Sequence, residues 1–256
     1  MNLKGCVSLV TGGGKRLGAA IGRSLARQGS DIAIHFRSSP REAEQTSKEL
    51  ARFGVRCECF KADLTRPEEI EGLFSAVAQS FGRLDVLVNS AASFEKAAIE
   101  DIDAAAWDAV HEVNLRAPFL CTRAAAGLIR ASTRRDNAPG LIVNIADLSG
   151  LLAWPYYSHH GSSKAALLQL TALTARELSP EIRVNAIVPG PILPPPGMTT
   201  ESREWLELCK RLPAGQGGDP SQIGDTVVFL AQNDFVIGAD ILVDGGEHLI
   251  GASHRN

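Results

Sequence analysis

Short runs of apolar and β-branched residues alternate with segments of helical periodicity along most of this chain. The apolar runs span residues 6–10, 31–36, 55–60, 84–88, 141–145, 183–188 and 241–243. Between them, apolar residues recur at helical spacing, as Leu17, Ile21 and Leu25 do. Parallel strands need such helical crossovers, because a tight hairpin cannot join them. The alternation predicts an α/β fold with a doubly wound parallel sheet of about seven strands and helices on both faces.

The chain carries no internal repeat and no linker rich in Pro, Gly or Ser, so we expect a single domain over residues 1–256. One irregular region is rich in proline and surrounds a short helical piece at residues 201–211. Long insertions in compact domains are usually functional or disordered. We therefore expect a substrate loop at about residues 190–218, with Trp205 helping to shape the substrate pocket.

Charge and cysteine content exclude several classes of protein. The 26 basic and 29 acidic residues give a net charge of -3, which provides no electrostatic footprint for nucleic acid or an anionic membrane. No secretory signal or transmembrane run is visible, and the five cysteines show neither a C-x-x-C pair nor zinc-finger spacing. We expect a cytoplasmic protein that has no metal site and binds a small molecule rather than nucleic acid or membrane.

A glycine-rich turn follows the first apolar run and precedes the first helix. It reads T-G-G-G-K-R-L-G from Thr11 to Gly18, and glycines there let the backbone approach a diphosphate at the helix N-terminus. The second strand ends without the acidic residue that would bind an NAD ribose. Arg37 and Ser38 follow it instead, and Arg16 from the turn can join them around a 2′-phosphate. These residues predict a Rossmann-type domain that binds NADPH.

With these motifs the sequence resembles the short-chain dehydrogenase/reductase family over essentially its whole length. The turn matches the family's T-G-x-x-x-G-x-G, except that Arg16 replaces the middle glycine. Further matches are the pair Asp63-Leu64, the segment 89–91, Pro189-Gly190 and the segment 244–246. The resemblance implies a homotetramer and a set of cofactor contacts. That set is Gly12, Lys15, Arg16, Leu17, Gly18, His35, Phe36, Arg37, Ser38, Asp63, Leu64, Asn89, Ser90, Ala91, Lys164, Pro189, Gly190 and Ile192.

Several features are similar to the pteridine reductase subgroup of that family. They are residues 15–18, residues 35–38, Phe94 after the fourth strand, Asp147 where most members carry serine, and residues 189–193. The resemblance implies that Phe94 stacks on a pterin, and that Asp147 bonds the pterin edge and takes part in protonation. A flat heterocycle suits a slot between aromatic faces with a carboxylate at its edge.

The match breaks at the family's Tyr-x-x-x-Lys motif. Here His160 precedes Lys164 by four residues, and the thirteen residues from Asp147 to His160 equal the family's serine-to-tyrosine interval. An imidazole has a pKa of about 6.5, against about 10 for a phenol, so it can act as a general acid near neutral pH. The resemblance implies Asn114 and Lys164 as catalytic residues, and we add Asp147 and His160 to them, with Phe94, Asp147, His160 and Trp205 at the substrate.

Three functions fit this sequence. The favoured one is NADPH-dependent reduction of a pterin or related planar heterocycle by hydride transfer to a C=N bond. The second keeps the family and the cofactor but reduces a carbonyl or enone, with His160 as the acid. The third is an NADPH-binding sensor without catalysis, which the missing tyrosine motivates.

Overall fold

The computed structural model of the protein describes residues 1–132, 138–195 and 197–251. Its centre is a seven-stranded sheet of order β3-β2-β1-β4-β5-β6-β7, in which every neighbouring pair is parallel. The strands are β1 (Val7–Val10), β2 (Asp31–Phe36), β3 (Cys57–Lys61), β4 (Val86–Asn89), β5 (Gly140–Ile145), β6 (Ile182–Pro189) and β7 (Asp240–Val243). The predicted doubly wound α/β fold of about seven strands is confirmed.

Helices connect the strands and cover both faces of the sheet. They are α1 (Arg16–Arg27), α2 (Pro40–Ala51), α3 (Pro67–Phe81), α4 (Ala104–His111), α5 (Ala117–Ala131), α6 (Ser158–Leu178), α7 (Arg203–Lys210), α8 (Pro220–Gln232) and α9 (Glu247–Ile250). A π-helical turn, Glu112–Arg116, joins α4 to α5, and short 3-10 turns lie at Ile99–Asp101 and Leu148–Gly150. None of the helices in the described ranges is long and apolar enough to cross a membrane.

Two apolar cores lie on opposite faces of the sheet. Helices α1, α2 and α8 bury one of them, in which Leu25, Leu50 and Val227 pack against strand residues such as Val88. Helices α3, α5 and α6 bury the other, which includes Leu87. Both faces are covered, so the strands are apolar on both sides, and this explains their nearly continuous apolar runs.

The sheet reverses its strand order between β1 and β4, which are neighbours although β2 and β3 separate them in sequence. In a doubly wound sheet the crevice beyond the carboxyl ends of two such strands is where ligands bind. Strand β1 ends at Val10, directly before the glycine turn, and β4 ends at Asn89. The fold therefore brings the predicted cofactor motifs to one edge.

The proline-rich region follows β6; its first residue packs on the chain after β7, and its last residue bonds back to the start of the region. Gly190 lies so close to the chain after β7 that an added Cβ would be 2.6 Å from the Cα of Asp244. At the far end, Gly218 N donates to the carbonyl of Pro191 at 2.9 Å. The region contains α7, in agreement with the short helix expected there; Pro196 lies outside the described residues.

Candidate active site

A cleft of about 570 Å³ opens at the carboxyl edge of β1, β2 and β4. It is lined by most of the residues predicted to contact the cofactor, namely Gly12, Lys15, Arg16, Leu17, Gly18, His35, Phe36, Arg37, Ser38, Asp63, Leu64, Ser90 and Ala91. Ser39, Thr65, Ser93, Glu95 and Glu112 also line it. The predicted contacts Asn89, Lys164, Pro189, Gly190 and Ile192 do not border this cleft.

The glycine turn forms one wall of the cleft. Gly12 has a φ of +64°, and a Cβ on it would lie 3.1 Å from the Cα of Ala91. Gly18, in the first turn of α1, packs so closely on the turn that a Cβ there would be 2.8 Å from the carbonyl carbon of Gly12. Helix α1 carries no acidic residue in its first turn. Its positive N-terminal end therefore faces the cleft without a neutralising carboxylate beside it.

The basic side chains around the turn have different partners. Lys15 Nζ donates to Ser39 Oγ at 2.9 Å, beside Arg37 and Ser38 on the cleft wall. The backbone of Arg16 has a φ of 51°, and its guanidinium donates to the carbonyl of Pro194 at 2.6 Å. Lys15 is thus the turn residue that joins the group after β2, while Arg16 links the turn to the proline-rich region.

Thr11 fixes the end of β4, a role that the sequence analysis did not assign to it. Its Oγ1 accepts from the backbone N–H groups of Ser90 at 2.9 Å and Ala91 at 3.1 Å. Asn89 points away from the cleft and donates to Asn144 Oδ1 at 2.8 Å inside the sheet. Asn89 therefore supports the fold beneath the site, whereas Ser90 and Ala91 line the cleft.

Asn114 lies in the π-helical turn between α4 and α5 and holds the chain that follows β4. Its Oδ1 accepts from Ser93 N at 2.9 Å, while its Nδ2 donates to Ser93 O at 3.0 Å and to Ser163 Oγ at 3.2 Å. π-turns inside helices frequently mark functional positions, because they re-aim a side chain. Here the turn brings Asn114 to 3.3 Å from Nδ1 of His160.

His160 and Lys164 lie one turn apart on α6, and both side chains are buried. His160 Nδ1 is 3.0 Å from the Ser93 carbonyl, which can only accept, so we assign the proton of the neutral ring to Nδ1. Nε2 then carries a lone pair. It is buried without a hydrogen-bond partner and lies 3.9 Å from Asp147 Oδ1.

Charge and burial oppose each other in this group. Burial lowers the pKa of His160 to about 4, although the Asp147 carboxylate acts to raise it and the Lys164 ammonium acts to lower it further. Burial also lowers the pKa of Lys164 to about 8, against the opposing effect of Asp147. Lys164 Nζ donates to the carbonyl of Ile145 at 2.9 Å. At pH 7 the imidazole is therefore neutral, and Nε2 can accept a proton.

Aromatic rings surround His160 on the side away from the sheet. Phe94 is 36% exposed, and its ring centroid lies 4.8 Å from that of His160 and 5.0 Å from that of Tyr157. Tyr157 in turn packs edge-on against Trp154, with centroids 5.9 Å apart. Part of the Phe94 surface that was expected to stack on a substrate is thus covered by the protein itself.

Asp147 is partly exposed near His160, whereas Trp205 is buried. Asp147 caps the 3-10 turn that follows β5, because its Oδ1 accepts from Ser149 N at 2.8 Å, and its side chain stays 21% exposed. Trp205 is only 6% exposed, and a Cβ on Gly217 would lie 3.4 Å from its ring. The ring is therefore buried within the proline-rich region, and a contact of Trp205 with a substrate stays a prediction.

Clusters of three or more His, Cys, Asp or Glu side chains able to hold a metal ion are absent from the described ranges. Asp63, at the opposite end of the cleft, accepts from Thr65 N at 3.0 Å and from Thr65 Oγ1 at 2.8 Å. The backbone hydrogen bond from Thr65 is the main reason why the pKa of Asp63 is lowered.

Known proteins resemble the chain over nearly its full length. A family profile described as enoyl-(acyl carrier protein) reductase matches residues 14–248. The 2-(S)-hydroxypropyl-CoM dehydrogenase 3 of Xanthobacter autotrophicus is 32% identical over 254 residues, which cover 95% of this chain and 97% of that protein. The 3beta-hydroxysteroid dehydrogenase 1 of Eggerthella lenta is 31% identical and covers 96% of this chain and 94% of its own length.

A solved structure agrees in fold as well as in sequence. The short chain dehydrogenase of Burkholderia cenocepacia, crystallised in complex with NADP, superposes with a TM-score of 0.87 at 29% identity and covers 96% of this chain and 99% of its own. The family profile extends from the glycine turn through β6 to the segment 244–246, and the relatives and the solved structure each cover at least 95% of this chain. The chain belongs to the short-chain dehydrogenase/reductase family.

Proposed function

We propose that the protein is an NADP-dependent oxidoreductase that interconverts a secondary alcohol and a ketone. The observation that carries the proposal is the buried Nε2 of His160, which has no hydrogen-bond partner and lies 3.9 Å from Asp147 Oδ1. Both atoms accept hydrogen bonds, so a substrate hydroxyl presented to Nε2 would supply the donor that this nitrogen lacks. The two named relatives act on hydroxyl groups, which supports this substrate class over a pterin.

The cleft fits a dinucleotide that carries a 2′-phosphate. Gly12 and Gly18 let the turn pack closely on Ala91 and on the start of α1. Lys15, Arg37 and Ser38 line the cleft where β2 ends without an acidic residue. The NADP complex of the related structure supports the same cofactor. Bound in this cleft, the nicotinamide would supply or accept the hydride. The basic group after β2 would hold the phosphate and set the preference for NADP over NAD.

Arg37→Ala is expected to weaken NADPH binding by about 30-fold and to leave NADH binding nearly unchanged, since a charge-assisted hydrogen bond to phosphate contributes about 2 kcal/mol. Fluorescence titration with both cofactors measures the two dissociation constants. Arg41→Ala is the matched control, because Arg41 is exposed on α2 and does not line the cleft. Equal losses for NADPH and NADH would contradict a 2′-phosphate contact.

The residues around His160 would orient the imidazole and stabilise its charge during proton transfer. The Ser93 carbonyl fixes the ring through Nδ1–H, so Nε2 accepts the alcohol proton during oxidation and returns it during reduction. The Asp147 carboxylate would stabilise the imidazolium that forms. Asn114 holds Ser93 in place, because its side-chain amide bonds both the backbone N–H and the backbone carbonyl of Ser93. Lys164 would keep a positive charge beside the reacting oxygen while its amine remains protonated.

The pH profile of kcat/KM for alcohol oxidation is expected to be bell-shaped, with limbs near pH 4 and near pH 8. The pKa values of about 4 for His160 and about 8 for Lys164 set these limbs, since kcat/KM follows groups of the free enzyme.

Because the folded pKa of His160 lies below 6.5, the fold also loses stability as pH falls from 6.5 toward 4. Circular dichroism at each pH separates unfolding from titration. An acid limb near 6.5 would contradict a desolvated imidazole.

A pterin remains the second candidate substrate, and the exposed part of Phe94 beside the Asp147 carboxylate favours it. The discriminating experiment follows NADPH oxidation with a panel of ketones, enones and dihydropterins, and NADP reduction with secondary alcohols. Turnover of ketones alone supports the proposal, whereas turnover of dihydropterins alone restores the pterin function. A pure protein that binds NADPH and turns over neither would be a non-catalytic sensor.

We propose a homotetramer in the cytoplasm as the form in which the protein acts. An apolar depression of about 690 Å³ between α4, α5 and α6 supports self-association, because Phe119 is 45% and Leu173 is 50% exposed beside it. Multi-angle light scattering measures the mass in solution, and a monomer at micromolar concentration would overturn the assembly.

A further inference from the structure

We propose that His35 is a positioning residue that holds the glycine turn in the shape that receives the cofactor's diphosphate. The proposal rests on the proposed binding of NADP in the cleft and goes beyond it. The sequence resemblance implied that His35 touches the cofactor. His35 borders the cleft, but its side chain is 98% buried and both ring nitrogens are engaged by the protein.

The imidazole of His35 bridges two backbone segments. Gly12 N donates to Nδ1 at 3.1 Å, and Nε2 lies 3.0 Å from the carbonyl of Ala62, directly after β3. The Ala62 carbonyl can only accept and the Gly12 amide can only donate. The neutral ring therefore has its proton on Nε2 and its lone pair on Nδ1, and no other tautomer satisfies both contacts.

Other hydrogen bonds hold the later residues of the turn. Gly13 N donates to the carbonyl of His35 at 3.0 Å, and Thr46 Oγ1 donates to the carbonyl of Gly14 at 2.9 Å. Gly12 has a φ of +64°, and the Nδ1 contact fixes the orientation of the peptide that precedes this residue. Backbone N–H groups bind a diphosphate only when they are aimed correctly beforehand. His35 thus fixes the start of the turn from behind while the front stays open to the ligand.

Protonation of His35 would replace the hydrogen bond with Gly12 by a repulsive contact between two donors. An imidazolium donates from both nitrogens, so its Nδ1–H would oppose the N–H of Gly12. Burial lowers the pKa of His35, and the Ala62 carbonyl and the Asp63 carboxylate act in the opposite direction. Near pH 7 the ring is therefore neutral and holds the turn. Protonation at acidic pH would remove this hydrogen bond from the turn.

Two conservative variants separate the two hydrogen bonds. His35→Asn places an amide oxygen near the position of Nδ1 and can still accept from Gly12, but it does not reach Ala62. His35→Gln extends an amide toward Ala62 and no longer presents an acceptor to Gly12. If His35 acts only through its bond to Ala62, the Gln variant should keep the higher NADPH affinity. If His35 positions the turn, the Asn variant should keep it.

The experiment measures NADPH dissociation constants by fluorescence titration for the wild type, His35→Asn and His35→Gln, together with the melting temperature of each free protein. We expect the Gln variant to bind about tenfold more weakly and the Asn variant to stay within about threefold of wild type. Equal losses in both variants, or a loss in neither, would overturn the inference. Failure of the wild type to bind NADPH would instead refute the proposed function.

The pH dependence gives a readout that a purely structural role would not move. As pH falls below 6.5, the wild type should lose NADPH affinity more steeply than His35→Asn, because only the wild type has an imidazole to protonate. The cofactor's 2′-phosphate titrates equally in both experiments. If NADPH affinity falls with pH equally in the wild type and in His35→Asn, the proposed role of Nδ1 is contradicted. If neither variant folds, nitrogen-15 NMR of the wild type decides: an unprotonated His35 Nδ1 coupled to the Gly12 amide supports the inference, and a protonated Nδ1 overturns it.

Discussion

Replacing His160 with alanine is expected to lower turnover by about 10³-fold while NADPH affinity stays within about twofold of wild type. The side chain is 1% exposed and presents Nε2 toward Asp147, but it does not line the cofactor cleft. Its removal therefore eliminates the proton acceptor and leaves the cofactor contacts in place. Steady-state kinetics in the direction of alcohol oxidation, with NADPH titration on the same preparation, measures both quantities.

Two further variants make this result specific. His160→Asn can keep a donor toward the Ser93 carbonyl but lacks Nε2, so it should be as inactive as His160→Ala although better folded. Tyr157→Phe removes the alternative phenol, whose ring centroid lies 6.2 Å from that of His160, and should keep most of the activity. Full activity in His160→Asn would contradict the proton role, and a large loss in Tyr157→Phe would transfer that role to the phenol.

The fold could be predicted from the sequence because burial of a parallel sheet on both faces leaves a strong signal. The run at residues 31–36 became β2 with the same bounds, whereas the run at residues 55–60 became β3 at Cys57–Lys61. Apolar composition cannot locate the end of an edge strand. It depends on pairing, here between Ile32 and Cys57 at one end and Phe36 and Lys61 at the other.

The cleft was also predictable in outline, since glycines and basic residues near strand ends have distinct chemistry. The hydrogen-bond partners of these side chains could not be predicted from the sequence. The carbonyls of Pro194 and Ser93, which bind Arg16 and His160, are backbone atoms and therefore carry no residue-type signal. The same holds for His35: the family resemblance implied a contact with the cofactor, but its hydrogen bonds to Gly12 N and the Ala62 carbonyl could not be predicted from residue types.

Gly18→Ala is expected to weaken NADPH binding by at least about 100-fold and to destabilise the fold by about 2 kcal/mol. A Cβ at position 18 would contact the Gly12 carbonyl oxygen and lie 2.8 Å from the Gly12 carbonyl carbon and 2.9 Å from the Gly13 Cα. These are backbone atoms, so no side-chain rotation relieves the clash. Either α1 must move away from the turn or the turn must change shape, and each response displaces the groups that would face a diphosphate.

Gly72→Ala is the matched control for this effect. Gly72 lies inside α3, and a Cβ there would meet no atom within 4 Å. Alanine in a helix interior should stabilise the protein by up to about 1 kcal/mol without affecting cofactor binding. Thermal unfolding and NADPH titration of both variants therefore separate a general cost of adding a methyl group from a specific requirement at the turn. Wild-type NADPH affinity in Gly18→Ala would show that the cofactor binds without close contact between α1 and the turn, and the site would then have to be placed elsewhere in the domain.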